Sequence, residues 1–307
     1  MFDVSARKFS MTYDTTPLLT VRDFLRYATS RFRSAGLAHG HGATNALDEA
    51  AFIILESLKL PVDDINPWLD ARLLELERDE LARLIEARVI TRKPAAYLLK
   101  RTYMHGVPFY VDERVIVPRS YIGELLVKGL FDEKGLGFDL EPENVTSVLD
   151  LCTGSGCLAI LAANVFHNAS IAAADLSSDA LEVARINLKE HNLSDQIMLY
   201  QGHLFDVVKD QKFDLIITNP PYVATAEADA FPPEYAHEPR MAHVGGEDGF
   251  ELVREIIKQA PKHLNRGGGL LCEIGIGREI LEAEFPKLNF FWLDSEESEG
   301  EVFFLKF

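Results

Sequence analysis

The feature that most constrains the fold is an alternation of strands and helices that begins at Ser147. Val148-Leu149-Asp150-Leu151 reads as a buried strand, Thr153-Gly154-Ser155-Gly156 as a tight turn, and residues 158–166 as an apolar helix. A second strand is expected at 171–174, with Asp175 at its carboxyl end, followed by a helix that Ser177 or Ser178 can cap and that runs to about His191. Further strands are expected at 197–201, 215–218 and 270–274, the last after a helix over 250–264 and a turn over 265–269. Two more apolar strands, 290–293 and 302–307, close the chain. Strands alternating with helices build a largely parallel sheet, because each parallel crossover needs a helix-sized connection. The fold class is α/β, and in such open sheets the ligand crevice lies outside the carboxyl ends of the strands.

Ahead of this alternation, residues from about 20 to 91 read as helical. Val21, Phe24, Leu25 and Ala28 follow a helical spacing behind Thr20 as a possible N-cap, and Ala46, Ala50, Ile53, Ile54 and Leu58 repeat it over 45–59. Gly36, Gly40 and Gly42 separate these two helices, and Pro61 and Pro67 precede a third over 71–88. Beyond Pro94 the residues turn aromatic and β-branched: Tyr97, Tyr103, Val107, Phe109, Tyr110 and Val111, then Val115, Ile116 and Val117, with turns at Gly106 and Asp112-Glu113. This predicts a β-hairpin linker. Pro118-Arg119-Ser120 then leads into a helix over 122–131 and a loop over 132–144. Three parts result: a helical domain at 1–92, the hairpin at 93–117 and the α/β domain at 118–307. The helical part fits either a recognition module or a packing cap.

Charge divides unevenly between these parts. Residues 1–117 hold 16 Lys+Arg and 16 Asp+Glu, whereas the remainder holds 15 against 32, so the whole net charge of −17 lies in the α/β part. Such a field repels a polyanion and steers a basic protein inward, although the same charge also serves solubility. With 47% hydrophobic residues the chain can bury two cores. No apolar run approaches the ~20 residues of a membrane span, and the first residues lack the apolar stretch of a secretory signal, so a cytoplasmic protein is expected. Cys152, Cys157 and Cys272 show no paired ligand spacing, which points to reduced thiols and no metal.

Two stretches carry chemistry. Asp150-Leu151-Cys152-Thr153-Gly154-Ser155-Gly156 puts a carboxylate at a strand end and glycines where the chain turns beneath a ligand. Glycine turns of this type also serve nicotinamide enzymes, but the extra acidic residue disfavours a pyrophosphate and favours a ligand with a cationic amino-acid group. Asp175, at the next strand end, can accept both hydroxyls of a ribose. The second stretch is the strand 215–218 ending in Asn219-Pro220-Pro221-Tyr222. Prolines have no backbone donor and fix their own φ, so carbonyls of this corner face outward without a sheet partner. A planar amide or amino group fits there, its N–H groups donating to the Asn219 side-chain oxygen and the Pro220 carbonyl while the Tyr222 ring packs on its face.

Together these motifs resemble the class I S-adenosylmethionine-dependent methyltransferases, a Rossmann-like fold with a seven-stranded mixed sheet. Asn-Pro-Pro-Tyr occurs there in two groups, the amino-methylating enzymes of nucleic acids and the protein glutamine N5-methyltransferases of the HemK and PrmB type. The chain resembles the second group over nearly its whole length, through the helical N-terminal domain, the hairpin, Pro118-Arg119, Glu238-Pro239 and Gly245-Gly246-Glu247-Asp248-Gly249. Residues 92–97, 109–120, 122–125 and 234–240, and Cys152 in the glycine turn, are similar to the PrmB branch. The release-factor branch typically carries proline where Ser120 stands.

The resemblance implies methyl transfer from S-adenosylmethionine to the side-chain nitrogen of a glutamine in the third protein of the large ribosomal subunit, a basic partner met free or during assembly. A release-factor glutamine or a nucleic-acid base are the alternative acceptors. It also implies roles: Asn219, Pro220 and Tyr222 catalytic, with Pro221 completing the substrate contact. Arg119, Asp150, Leu151, Cys152, Thr153, Gly154, Gly156, Asp175, Leu176, Leu204, Phe205 and Asn219 would hold the donor. His203-Leu204-Phe205 departs from the Asp-Trp-Phe of many HemK relatives, which leaves the adenine to Leu204 or Phe205. Glu238 is expected to anchor the loop after the corner, where His237 and Arg240 either shape a lid or lie on the surface.

Overall fold

The computed structural model describes residues 14–131, 140–296 and 298–307. The chain divides after Leu99 into two compact units. The first contains α1 (Val21–Ser34), α2 (Ala46–Ser57), α3 (Glu75–Thr91) and α4 (Ala95–Leu99). Thr20 starts α1 with a capping box: its hydroxyl accepts from the Asp23 N–H while the Asp23 carboxylate accepts from the Thr20 N–H. Asn45 caps α2 with its side-chain oxygen alone, accepting from the N–H groups of Leu47 and Asp48. The third helix begins later than the expected 71. Val21 N–H donates to the Ala71 carbonyl and Leu73 N–H to the Leu19 carbonyl, which keeps the approach to α3 extended against the start of α1. Phe24, Phe32, Ile53, Ile54, Leu81 and Ile85 form the core of this unit. The fully buried Arg88 is held there by Glu49 at 2.9 Å and by the carbonyls of Arg92 and Ala38, so its charge is paired rather than stranded.

The second unit opens with a short hairpin, β1 (Thr102–Met104) and β2 (Val107–Phe109), and α5 (Tyr121–Val127). The hairpin is much smaller than the expected 93–117. Tyr97 belongs to α4, and Val111, Val115 and Val117 are buried outside any strand. Side chains satisfy that backbone instead: Asn187 Oδ1 accepts from the Tyr110 N–H at 2.7 Å, Asp112 from the Arg114 N–H at 3.1 Å and Glu238 from the Val117 N–H at 2.8 Å. Part of the expected loop over 132–144 lies outside the described residues.

The sheet then follows: β3 (Ser147–Leu151), α6 (Cys157–Val165), β4 (Ser170–Asp175), α7 (Ser178–Glu190), β5 (Ile197–Gln201), β6 (Phe213–Thr218), α8 (Thr225–Ala228), α9 (Glu251–Gln259), β7 (Leu264–Glu273), α10 (Arg278–Glu284), β8 (Phe291–Leu293) and β9 (Val302–Lys306). Its order is β5-β4-β3-β6-β7-β9-β8, parallel from β5 to β7, with β9 antiparallel to both of its neighbours. This is the seven-stranded mixed sheet expected of the fold class. The expected turn over 265–269 is instead part of β7, where the pairing with β6 shifts register between Phe213 and Leu215. The Asn-Arg-Gly-Gly-Gly chemistry of a turn is used there as an irregularity within a strand. The helix expected over 250–264 ends at Gln259, where Pro261 leads a 3-10 turn.

Alternate residues of the central strands enter two cores. Val148, Leu215 and Ile217 pack with α5 and α6, whereas Leu149, Leu151 and Ile216 pack with α9. Burial on both faces is why β3 and β6 read as continuous apolar runs. From β3 the chain builds outward to β4 and β5, then returns to place β6 on the other flank of β3, so the order reverses between β3 and β6. Leu151 pairs with Thr218 at that reversal, which sets the glycine turn beside Asn219. Among the described residues no helix is long and apolar enough to cross a membrane.

Leu215 is fully buried in β6, the strand that leads into the corner. Leu215→Ala should cost about 2–5 kcal/mol of stability, read from the midpoint of chemical denaturation. A loss below ~1 kcal/mol would contradict a close-packed β3–β6 core.

Candidate active site

The turn after β3 is built around a carboxylate that the protein itself encloses. Asp150 is fully buried, and its Oδ2 accepts from the Thr153 hydroxyl at 2.6 Å and the Ala159 N–H at 3.1 Å, tying the turn to the first turn of α6. Its Oδ1 is buried and has no hydrogen-bond partner among the described residues. Burial, with a smaller contribution from the charge of Asp175, pushes Asp150 up to about 7. Asp175, at the tip of β4, accepts from the Gly154 N–H at 2.8 Å and the Ser177 N–H at 2.9 Å, and burial raises its carboxyl too.

These groups border a cavity lined by Cys152, Gly154, Asp175, Leu176, Leu204 and Asn219, among others. Gly154 stands at φ +56°, and a β-carbon there would meet no protein atom within 4 Å. The backbone thus comes to the cavity edge without a side chain in the way. A second cavity lies across Asn219, lined by Arg119, Pro220, Tyr222, Phe231, Tyr235 and His243. Asn219, with Ile116 and Ala242, lines both cavities. Its side-chain nitrogen donates to the Arg119 carbonyl at 3.2 Å, which leaves Oδ1 as an acceptor. Among the described residues no hydrogen bond is made to the Pro220 carbonyl.

Two contacts hold the corner from behind. Val223 N–H donates to the His243 carbonyl at 2.9 Å, and Gly245 N–H returns a bond to the Val223 carbonyl at 3.0 Å. A β-carbon at Gly245 would stand 2.4 Å from the Pro221 oxygen, and one at Gly249 2.3 Å from the Tyr222 oxygen. The glycine-rich 245–249 segment is therefore a backbone clamp on the corner, a role its sequence did not reveal. Glu238 anchors the loop as expected: it is buried and accepts from the Val117 N–H, from the Arg119 guanidinium at 2.9 and 2.8 Å, and faces His243 Nε2 at 3.0 Å. Phe231 and Tyr235 pack at 4.6 Å between centroids, with the Arg119 guanidinium 5.6 Å above the Tyr235 ring.

The structure separates the expected donor-holding residues into groups. Cys152, Gly154, Asp175, Leu176, Leu204 and Asn219 line the first cavity, as does Pro221, which was expected on the acceptor side. Asp150, Leu151 and Thr153 are buried behind it and support the turn, and Gly156 packs against Ala184 of α7. Arg119 lines the second cavity, because its paired Glu238 turns the guanidinium there. Phe205 is in the core, stacked on His263 at 4.6 Å. Leu204 adopts φ +41° at the start of a 3-10 turn, and only Leu204 of that pair reaches the cavity. His203 lines the cavity as well and lies 3.6 Å from Glu255, His237 lines neither cavity, and Arg240 pairs with Asp229 at the surface.

Sequence reasoning missed Glu273. It ends β7, is buried, and accepts from the Ser120 hydroxyl at 2.6 Å, the Tyr121 N–H at 2.9 Å and the Tyr222 hydroxyl at 3.2 Å. The available signal was a lone carboxylate inside the apolar run 270–274. Among the described residues no group of three or more His, Cys, Asp or Glu could hold a metal ion.

A sheet of this order, with a glycine turn and an Asn-Pro-Pro-Tyr corner at its reversal point, defines a class I methyltransferase. Residues 136–231 match the methyltransferase small domain family. The chain is 52% identical to the ribosomal protein uL3 glutamine methyltransferase of Bradyrhizobium diazoefficiens, covering 94% of this chain and 91% of that protein. It is 50% identical to the same-named protein of Burkholderia pseudomallei over 96% and 97% of the two chains, and 49% identical to that of Neisseria gonorrhoeae over 94% of each. It belongs to the family of ribosomal protein uL3 glutamine methyltransferases.

Asp150 generates a pH prediction. Its native carboxyl titrates near 7 against about 4 when unfolded. Between those values the native state keeps a proton that the unfolded chain has released, so this group's contribution to stability is lost as pH rises. In urea titrations from pH 4 to 8, Asp150→Asn should lessen that decline; an unchanged pH slope would contradict the buried assignment.

Proposed function

We propose that this chain transfers a methyl group from S-adenosylmethionine to the side-chain nitrogen (N5) of a glutamine in ribosomal protein uL3. The observation that carries the reading is the place of Asn219 in the wall shared by two cavities, with its Oδ1 and the Pro220 carbonyl both left as acceptors. The donor belongs on the Gly154 and Asp175 side and the glutamine on the Tyr222 side. A ligand with ribose hydroxyls and a cationic amino group fits the first cavity. Asp175 keeps lone pairs for two hydroxyls, and the unpartnered Asp150 Oδ1 remains an open acceptor beneath the turn. Leu176 and Leu204 offer apolar faces to an adenine.

When bound, the donor supplies an electrophilic methyl on a sulfonium. The protein's task is on the acceptor side, since an amide nitrogen is a weak nucleophile whose lone pair is delocalised into its carbonyl. Asn219 Oδ1 and the Pro220 carbonyl take the two N–H groups, orient the nitrogen and favour a geometry in which the lone pair is available. The packed Tyr222 ring holds the amide plane. The nitrogen becomes acidic on methylation and sheds its proton late, so no strong base is required. Among the described residues no Asp or Glu lines the second cavity, in keeping with an uncharged acceptor.

The net charge of −17 in the α/β part steers a basic ribosomal protein, free or during assembly, toward the site, and the reaction belongs in the cytoplasm. The helical unit serves in recognition of that partner. Transfer of labelled methyl, with uL3 and release factors offered side by side, tests the acceptor. Label on uL3 supports the reading, and label confined to release factors would refute it. Asn219→Ala should lower turnover on uL3 by about 10²–10³-fold while donor affinity stays within a few-fold. Turnover equal to the parent's would remove Asn219 from the mechanism.

A further inference from the structure

We infer that Glu273 is a positioning residue for this transfer, holding two walls of the acceptor cavity in register through Tyr222 on one side and Ser120-Tyr121 on the other. The inference rests on the functional reading above and deepens it. Glu273 lines neither cavity and so does not touch the substrate. It is 2% exposed in an apolar strand, where an unpaired carboxylate would be costly. Its three donors come from two segments that meet nowhere else in sequence: the Ser120 hydroxyl and Tyr121 N–H on Oε2, and the Tyr222 hydroxyl on Oε1.

Both segments lead directly to the acceptor. Ser120 and Tyr121 follow Arg119, whose carbonyl receives the Asn219 side-chain nitrogen and so fixes which way the Asn219 oxygen faces. Tyr222 carries the ring that packs on the amide, and Gly275 backs that ring so closely that a β-carbon there would stand 2.8 Å from it. Glu273 therefore determines the separation between the Asn219 support and the Tyr222 ring. Displacements of an ångström in such a support cost about 10²-fold in rate.

Only the ionised form can accept all three bonds, because a protonated carboxyl turns one oxygen into a donor. Burial pushes Glu273 up to about 7. The charged and titratable groups around it do not replace it. The Tyr222 phenol is held protonated by burial and by Glu273 itself, with Arg119 lowering and Glu301 raising it in smaller measure. The Cys272 thiol on the same strand stays protonated, and the groups that the start of α5 turns toward Glu273, the Ser120 hydroxyl and the Tyr121 and Ile122 N–H groups, are neutral. Activity is thus complete above the pKa of Glu273 and falls as pH drops through it.

The test is steady-state methylation of uL3 from pH 5.5 to 9 by the parent chain, Glu273→Gln and Ser120→Ala. Glu273→Gln should lower kcat by about 10–10²-fold, leave the KM for the donor unchanged and abolish the acid limb. Ser120→Ala removes one donor from the carboxylate and should move the acid limb to higher pH, which decides the matter even where Glu273→Gln folds poorly. A kcat for Glu273→Gln within about twofold of the parent, or an acid limb unmoved in Ser120→Ala, would overturn the inference. A parent that fails to methylate uL3 at any pH overturns the functional reading as well, whereas an active parent with unaffected variants overturns this inference alone.

Discussion

The register of β3 against β6 is the constraint on which the site depends. Leu151 opposite Thr218 sets two unrelated chain reversals side by side, one made by glycines and one by prolines. The glycine turn brings backbone to the cavity edge and the proline corner withholds backbone donors. A one-residue slip would exchange the two cores of the sheet, since alternate residues of each strand belong to opposite faces. The hydrophobic pattern that makes the fold therefore also sets the distance between donor and acceptor cavities.

Three buried carboxylates then fix the irregular chain around that junction. Asp150 binds the glycine turn to α6, Glu238 binds Val117 and Arg119 to the loop after the corner, and Glu273 binds the start of α5 to Tyr222. Each accepts from N–H or O–H groups that have no strand or helix to satisfy them. A carboxylate offers two oxygens with several lone pairs, so one side chain can gather donors from segments distant in sequence. Desolvation is the cost, visible in the raised carboxyls of Asp150 and Glu273. Glu238 gains a guanidinium as partner and meets that cost differently.

What the sequence disclosed followed from how local each signal was. The strand 197–201, the Thr20 cap and the proline corner depend on residues within a few positions, and they stand where periodicity and turn chemistry put them. Arg119 and Phe205 were assigned to the donor, yet the side each faces depends on partners far away, Glu238 and His263. Residues 110–117 carry a strand-like pattern but pair with side chains from 187 and 238, which no local rule can supply. Glu273 escaped notice because its three partners assemble only in the folded chain.

The most direct measurement is a crystal structure of the chain with S-adenosylhomocysteine and a glutamine-containing segment of uL3. The account predicts the ribose hydroxyls on Asp175 with the thioether facing the Asn219 corner, and the glutamine nitrogen at hydrogen-bonding distance, roughly 2.7–3.2 Å, from both Asn219 Oδ1 and the Pro220 oxygen. A glutamine bound away from that corner, or the nucleoside seated elsewhere on the sheet, would contradict it.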